Sequence, residues 1–172
     1  AENNSLLWRT NKTCANGAVA EYQVGNGLKT KVLYDNRTSL VENIRTFNNE
    51  MEFQNLYYKY DDYGNMIVRG KTTDVMTLEE FEYDGFDRLV GIRLNGKETG
   101  RMVYDELGNI MEKEVNGVSV IYGAQYDRQR PNAIIKVKTA DEQLVGNRNQ
   151  RFEYSSFEDL IGVVDGDDVL TI

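Results

Sequence analysis

Residues 60–66 read YDDYGNM, and close variants return at 83–89 (YDGFDRL) and 104–110 (YDELGNI). Aligned on the tyrosine, three weaker copies join them: YDNRTSL from Tyr34, YDRQRPNAI from Tyr126 and YSSFEDL from Tyr154. The six tyrosines are spaced by 26, 23, 21, 22 and 28 residues. Self-similarity with a period in the twenties marks stacked supersecondary units, each of which buries its apolar face against its neighbours.

The inside of one unit follows from residue type and spacing. Two places before each tyrosine stand Val32, Tyr58, Phe81, Met102, Ala124 and Phe152, an alternation that belongs to a strand with one buried face. In the three best copies Asp61, Asp84 or Asp105 follows the tyrosine, and Gly64, Asp87 or Gly108 stands four places after it. A three-residue hairpin loop is commonly a type I turn closed by one residue at positive φ, which glycine tolerates best and Asp or Asn next. In the Tyr34 copy that slot falls on Thr38. Such a loop sets each tyrosine opposite the residue six further on: Tyr60 with Met66, Tyr83 with Leu89, Tyr104 with Ile110 and Tyr154 with Leu160. Asp84 then faces Arg88, while Asn65 and Asn109 hold the equivalent place in the other two copies. An aromatic facing an aliphatic across an antiparallel ladder contributes about 0.2–1 kcal/mol. The repeated Asp is read as a cap on turn amides.

The return connections carry Asn95-Gly96 and Asn116-Gly117, the strongest two-residue hairpin signal. They predict the pairs Arg93–Glu98, Leu89–Met102, Val115–Val118 and Met111–Tyr122. The one helix-like stretch, TLEEFEYD at 77–84, alternates Phe81 with Tyr83 and is read as a strand. The expected fold class is therefore all-β, with ten to twelve antiparallel strands in a curved sheet of hairpins. Barrel, spiral wall and two packed sheets all satisfy the pattern. Residues 1–16 read as a lead-in and 17–172 as the array.

Composition agrees and narrows function. Eleven Tyr and 15 Gly beside a single Pro favour strands joined by turns. A net charge of −8 with no Lys/Arg cluster argues against nucleic-acid or anionic-membrane binding. No apolar run approaches the ~20 residues of a membrane helix, and AENNSLLWRTNKT lacks the order of a signal peptide. Histidine is absent, and Cys14 has neither a disulfide partner nor a histidine to activate it. Asp61/Asp62 and Asp167/Asp168 are adjacent, so on a strand they point to opposite faces, wrong for a working acid/base pair. Asp165 and Asp167 in DGDD have calcium-loop spacing without the rest of the loop or its closing Glu. No catalytic, metal-binding or cofactor-binding residue is expected, and the chain is read as non-enzymatic.

Tyr-Asp-x-x-Gly-Asn/Arg-Leu/Ile, repeated at this interval, resembles the YD repeat of the rearrangement-hotspot (Rhs) family, shared with bacterial wall-associated proteins, the B/C components of insecticidal toxin complexes and the teneurins. The stretches VGNGLKTKVLYDNRTSLVENIRT and FQNLYYKYDDYGN extend the likeness over about residues 17–165. The resemblance implies a segment of a β-shell from a larger secreted or cell-surface bacterial protein, whose partner would be another polypeptide of the same parent, a toxin-like effector. A glycan-binding, adhesin-like module is the alternative, with repeated tyrosines as stacking platforms. Buried tyrosines would argue for packing, and rings along an open groove for glycans. The Tyr34, Tyr126 and Tyr154 copies depart from the pattern, and the family's self-cleaving segment is not recognisable, as expected for a slice of wall without cargo.

Overall fold

The computed structural model describes residues 7–72, 76–139, 148–156, 159–166 and 168–171. The fold class is all-β, fifteen strands among the described residues. They are β1 (Trp8–Thr13), β2 (Val19–Val24), β3 (Lys29–Tyr34), β4 (Val41–Phe47), β5 (Glu52–Tyr60), β6 (Met66–Lys71) and β7 (Thr77–Tyr83). There follow β8 (Leu89–Leu94), β9 (Lys97–Tyr104), β10 (Ile110–Val115), β11 (Val118–Tyr126), β12 (Ile134–Thr139), β13 (Arg148–Tyr154), β14 (Leu160–Asp165) and β15 (Asp168–Thr171).

Two compact units divide the chain: Ala1–Phe81 with Leu94–Gly96, and Glu82–Arg93 with Lys97–Ile172. In the first, β1 to β7 lie side by side in sequence order, each antiparallel to the next. In the second, β9 to β15 do the same. Within each unit spatial order equals chain order, and the described connections are short turns that leave no length for a crossover.

The strand count exceeds the ten to twelve expected from six hairpins. The additional strands are β1, β2 and β15. The first two form because 14–18 and 24–28 are themselves turns, closed by Cys14 N–H to Ala18 O (2.8 Å) and Val24 N–H to Leu28 O (3.0 Å). The last forms because Gly166, at φ +63, lets 165–168 reverse so that Asp165 pairs with Asp168.

The predicted hairpin register holds where tips are regular. Tyr60 pairs with Met66, Tyr104 with Ile110 and Tyr154 with Leu160. At the return turns Asn95 and Asn116 lie at φ +51 and +52 and Gly96 and Gly117 at +78 and +81, the doubly positive geometry of a type I′ hairpin. Val115 pairs with Val118 as expected, but Met111 does not face Tyr122: a bulge between Lys113 and Glu114 pairs Lys113 with Ile121 and shifts the ladder by one.

Burial is thin in both units. Among described apolar side chains only Met102, Ala124 and Val137 are buried, and none is sealed completely from solvent. Val32, Ile44 and Leu56 form one half-buried cross-strand row in the first unit. With so little core, cohesion rests on ladder hydrogen bonds and on polar links between repeats.

Candidate functional site

The tips at 60–66, 83–89 and 104–110 share one geometry. Gly64 N–H donates to Asp61 O, Asp87 N–H to Asp84 O and Gly108 N–H to Asp105 O, each at 3.1–3.2 Å. The N–H of Asp61, Asp84 and Asp105 donates in turn to the carbonyl of Asn65, Arg88 and Asn109, at 2.9–3.0 Å. Gly64 (φ +91), Asp87 (+59) and Gly108 (+87) occupy the positive-φ slot. In the Tyr34 copy that slot is Ser39 (φ +61) and not Thr38, because the loop is one residue longer and Tyr34 pairs with Val41. The Pro131 copy is longer still, Tyr126 pairing with Ile134.

Each tip carboxylate is consumed by its own turn. Asp61 Oδ1 accepts from the N–H of Tyr63 and Asn65, and Oδ2 from Asn65 Nδ2. Asp105 repeats this with Leu107, Asn109 N–H and Asn109 Nδ2. Asp84 takes the N–H of Phe86 and Arg88 plus the Arg88 guanidinium, at 2.7 Å. All three carboxyls are held below the ordinary carboxylate range. The Arg88 side chain is the main cause at Asp84 and the Asn109 side chain at Asp105. At Asp61 partial desolvation pushes upward, but the Asn65 side chain and the turn amides outweigh it. These are ionised acceptors engaged within their own turns.

The tyrosines link repeats. Tyr60 donates its hydroxyl to Val41 O (3.0 Å), Tyr104 to Leu89 O (2.8 Å), Tyr126 to Ile110 O (2.8 Å) and Tyr154 to Ile134 O (3.0 Å). In every case the acceptor is the first residue of the strand leaving the preceding tip. Tyr34 does the same to Val19 O (3.1 Å), which identifies 13–19 (TCANGAV) as a further, cryptic tip with Cys14 in the Asp position and Gly17 at φ +85. Sequence comparison missed this copy because it has neither Tyr nor Asp; the signal that survives is the Asn-Gly pair. Tyr83 is half-buried like the others. With Tyr60 and Tyr104 half-buried and their hydroxyls committed to carbonyls, the rings behave as packing and not as an open stacking platform.

Tips are also tied to one another. Arg88 Nη1 donates to Asp105 O and Asn109 Nδ2 to Pro131 O, both at 2.8 Å. The Arg88 guanidinium lies 4.8 Å from the Tyr104 ring centroid. The residue three places after the tyrosine is thrust outward: Tyr63 and Phe86 are more than four-fifths exposed and Leu107 about two-thirds.

Among the described residues no group of three or more His, Cys, Asp or Glu is placed to hold a metal ion. Asp165 and Asp168 face each other across the last turn, and Asp167 lies outside the described residues. No helix is long and apolar enough to cross a membrane. In the first unit an open concavity of about 730 Å³ is lined by Lys12, Cys14, Lys31, Leu33, Asp35 and Arg45, among others.

No family model matches the sequence. No curated protein matches it either. Solved structures do share the fold. A chain of the crystal structure of TcdB2-TccC3-TEV superposes with a TM-score of 0.57 at 13% identity, over 96% of this chain and 12% of that one. A chain of the Tc holotoxin pore of Photorhabdus luminescens, carrying a TccC3 point mutation, gives 0.57 at 13%, over 94% and 11%. TcdB2-TccC3 without its hypervariable C-terminal region gives 0.56 at 16%, over 94% and 8%. The chain thus spans about a tenth of the length of the solved chains it resembles.

Proposed function

We propose that this chain is a non-enzymatic length of wall from a Rhs-type, toxin-complex-related protein, secreted or displayed on a bacterial surface, and that its task is to enclose or present an associated polypeptide. The observation that carries the reading is the tyrosine hydroxyl donated from each hairpin to the hairpin before it, at Tyr34, Tyr60, Tyr104, Tyr126 and Tyr154. A wall must resist the opening of its seams, and these bonds close the seam between successive repeats independently of the ladder. Likeness over nearly the whole chain to chains of TcdB2-TccC3 structures supports the same reading. The carboxylates best placed for chemistry are spent on turn amides, which supports a role without catalysis.

The test uses the full-length parent protein under limited proteolysis. Its non-repeat polypeptide should be cleaved at least tenfold more slowly in the intact protein than when expressed alone. Substituting Tyr60, Tyr104 and Tyr126 together by Phe should raise that rate. Equal cleavage of free and parent-borne polypeptide would overturn enclosure.

A further inference from the structure

The concavity in the first unit carries more cations than acids. Three cations, Lys12, Lys31 and Arg45, line it against Glu21 and Asp35, in a protein of net charge −8. Both acids are already engaged. Asp35 Oδ1 accepts from the N–H of Arg37 and Thr38 and from the Thr38 hydroxyl, and its carboxyl is held below the usual range chiefly by the Thr38 amide. Glu21 accepts from Asn11 Nδ2 and lies 3.8 Å from Lys31. Arg45 is tied at 2.6 Å to Glu52. Lys12 lies opposite Glu21 on the ladder, and its exposed side chain makes no hydrogen bond or ion pair with any described residue.

Two independent features point the same way. Register shifts flank Lys12 on both sides, between Thr10 and Lys12 and between Lys12 and Thr13, and bulges of this kind re-aim a side chain at the cost of ladder bonds. The neighbouring tip has also lost its acid. Asp35, Asp61, Asp84, Asp105 and Asp127 head five of the other tips and Ser155 the sixth, whereas Cys14 heads this one, and Asn16 Oδ1 takes over by accepting the Ala18 N–H. The rim is closed by Asn16 Nδ2 donating to Ser39 Oγ, which joins the cryptic tip to the Tyr34 tip.

We propose that this concavity is a docking site for an acidic peptide segment, with Lys12 as the primary carboxylate contact and Lys31 as the second. The proposal rests on the reading of the chain as a wall with a polypeptide partner and names where on the wall that partner is held. Charge complementarity selects the occupant: an unengaged ammonium, a second one only weakly paired, exposed Asn36 as an amide donor, and exposed Leu33 as an apolar shelf for the peptide stem. Glu21, opposite Lys12 on the ladder, already accepts from Asn11 and faces Lys31, which leaves the Lys12 ammonium open to an incoming carboxylate.

The probe is a blocked hexapeptide, Glu-Gly-Glu-Gly-Glu-Gly, titrated into the 172-residue chain and followed by amide NMR shifts, with the Gln-Gly counterpart and free acetate as controls. Saturable shifts confined to residues 12–18 and 31–39, weakened at least tenfold by Lys12→Glu and by raising the salt, would support the site. Lys12→Gln, which removes the charge without adding another, should weaken binding to a lesser degree with the spectrum otherwise unchanged. Shifts spread over all basic residues, equal binding by acetate or the neutral peptide, or indifference to both variants would overturn it. Failure here together with protease protection in the parent protein would refute this site alone. Failure of protection together with peptide binding would refute the wall.

Discussion

Replacing Tyr104 by Phe deletes one atom from the seam between two repeats. The phenol donates at 2.8 Å to Leu89 O, while the ring keeps its place opposite Ile110 and under the Arg88 guanidinium. Packing is therefore retained, and the loss is one neutral hydrogen bond, worth about 0.5–1.5 kcal/mol net. Leu89 is half-buried, so water recovers part of the carbonyl's bonding and the expected cost is about 1 kcal/mol. For a chain of this length that is a fall of ~2–4 °C in midpoint. Repeat arrays depart from two-state behaviour, so hydrogen exchange of the amides of 89–94, read alongside the thermal midpoint, is the sharper assay. Tyr63→Phe is the control, since Tyr63 is 84% exposed and its removal of a hydroxyl should shift neither. Tyr104→Phe and Tyr126→Phe together should depart from additivity, because Tyr126 bonds to the carbonyl of Ile110, the residue paired with Tyr104. Wild-type exchange and midpoint in Tyr104→Phe, or an equal shift in Tyr63→Phe, would refute the claim that the hydroxyls hold the repeats together.

Four further outcomes follow from the same geometry. Gly108→Val should cost ~1 kcal/mol or more purely through its φ of +87, since a Cβ there meets nothing within 4 Å, whereas Gly108→Asn should cost less; equal urea midpoints for the two would contradict the turn assignment. Gly70→Ala should cost about 1–3 kcal/mol because the new Cβ would sit 2.0 Å from the Tyr57 ring, and a Tyr57→Ala background should remove most of that penalty in a double-mutant cycle. The depressed carboxyls of Asp35, Asp61, Asp84, Asp105 and Asp127 contribute stability that is fully present above their unfolded value of 3.8 and lost as pH falls through the lower folded values; urea midpoints between pH 5 and 2 should drop, and less steeply in Asp105→Asn. Burial pushes the phenols of Tyr60 and Tyr126 above 10.0, so their contribution is complete below that pH and disappears as pH rises through the raised values; the late-ionising part of an absorbance titration should shrink in Tyr60→Phe/Tyr126→Phe.

The hairpin alphabet was legible in the sequence because each of its letters has a local cause. Asn95-Gly96 and Asn116-Gly117 declare type I′ turns through positive φ alone, and Gly64, Asp87 and Gly108 declare the tips. What stayed hidden depends on partners outside the local window. The bulge that displaces Met111 from Tyr122 has no glycine or proline to announce it. The tip at 13–19 uses a thiol where the others use a carboxylate, so motif matching passes over it although its backbone bonds are the same. The positive φ at Ser39 and not Thr38 follows from a loop lengthened by one, which residue types in that stretch do not specify. The tyrosine hydroxyl bonds were invisible for a different reason: their acceptors are main-chain carbonyls, which carry no sequence signature.

These differences explain which half of the Tyr-Asp motif the chain keeps. The aspartate acts within its own turn, where another acceptor serves nearly as well: Ser155 Oγ takes the Asp159 N–H in the last copy, and Asn16 takes the Ala18 N–H in the cryptic one. The tyrosine acts between turns. Its hydroxyl must reach from one hairpin to the strand leaving the tip before it, and neither Phe, which lacks the donor, nor Ser, which lacks the reach, can substitute. Among the six copies aligned on the tyrosine Asp gives way to Ser155 in one, and the cryptic copy at 13–19 has Thr13 and Cys14 in the two places. Arg88 and Asn109 add a link in the opposite sense, to the carbonyls of Asp105 and Pro131 at the following tip. A repeat gripped on both sides gains stability mainly from its neighbours, as in a one-dimensional array with strong interface terms. Degenerate turns are then tolerable wherever the tyrosine survives, which is the pattern from Tyr34 to Tyr154.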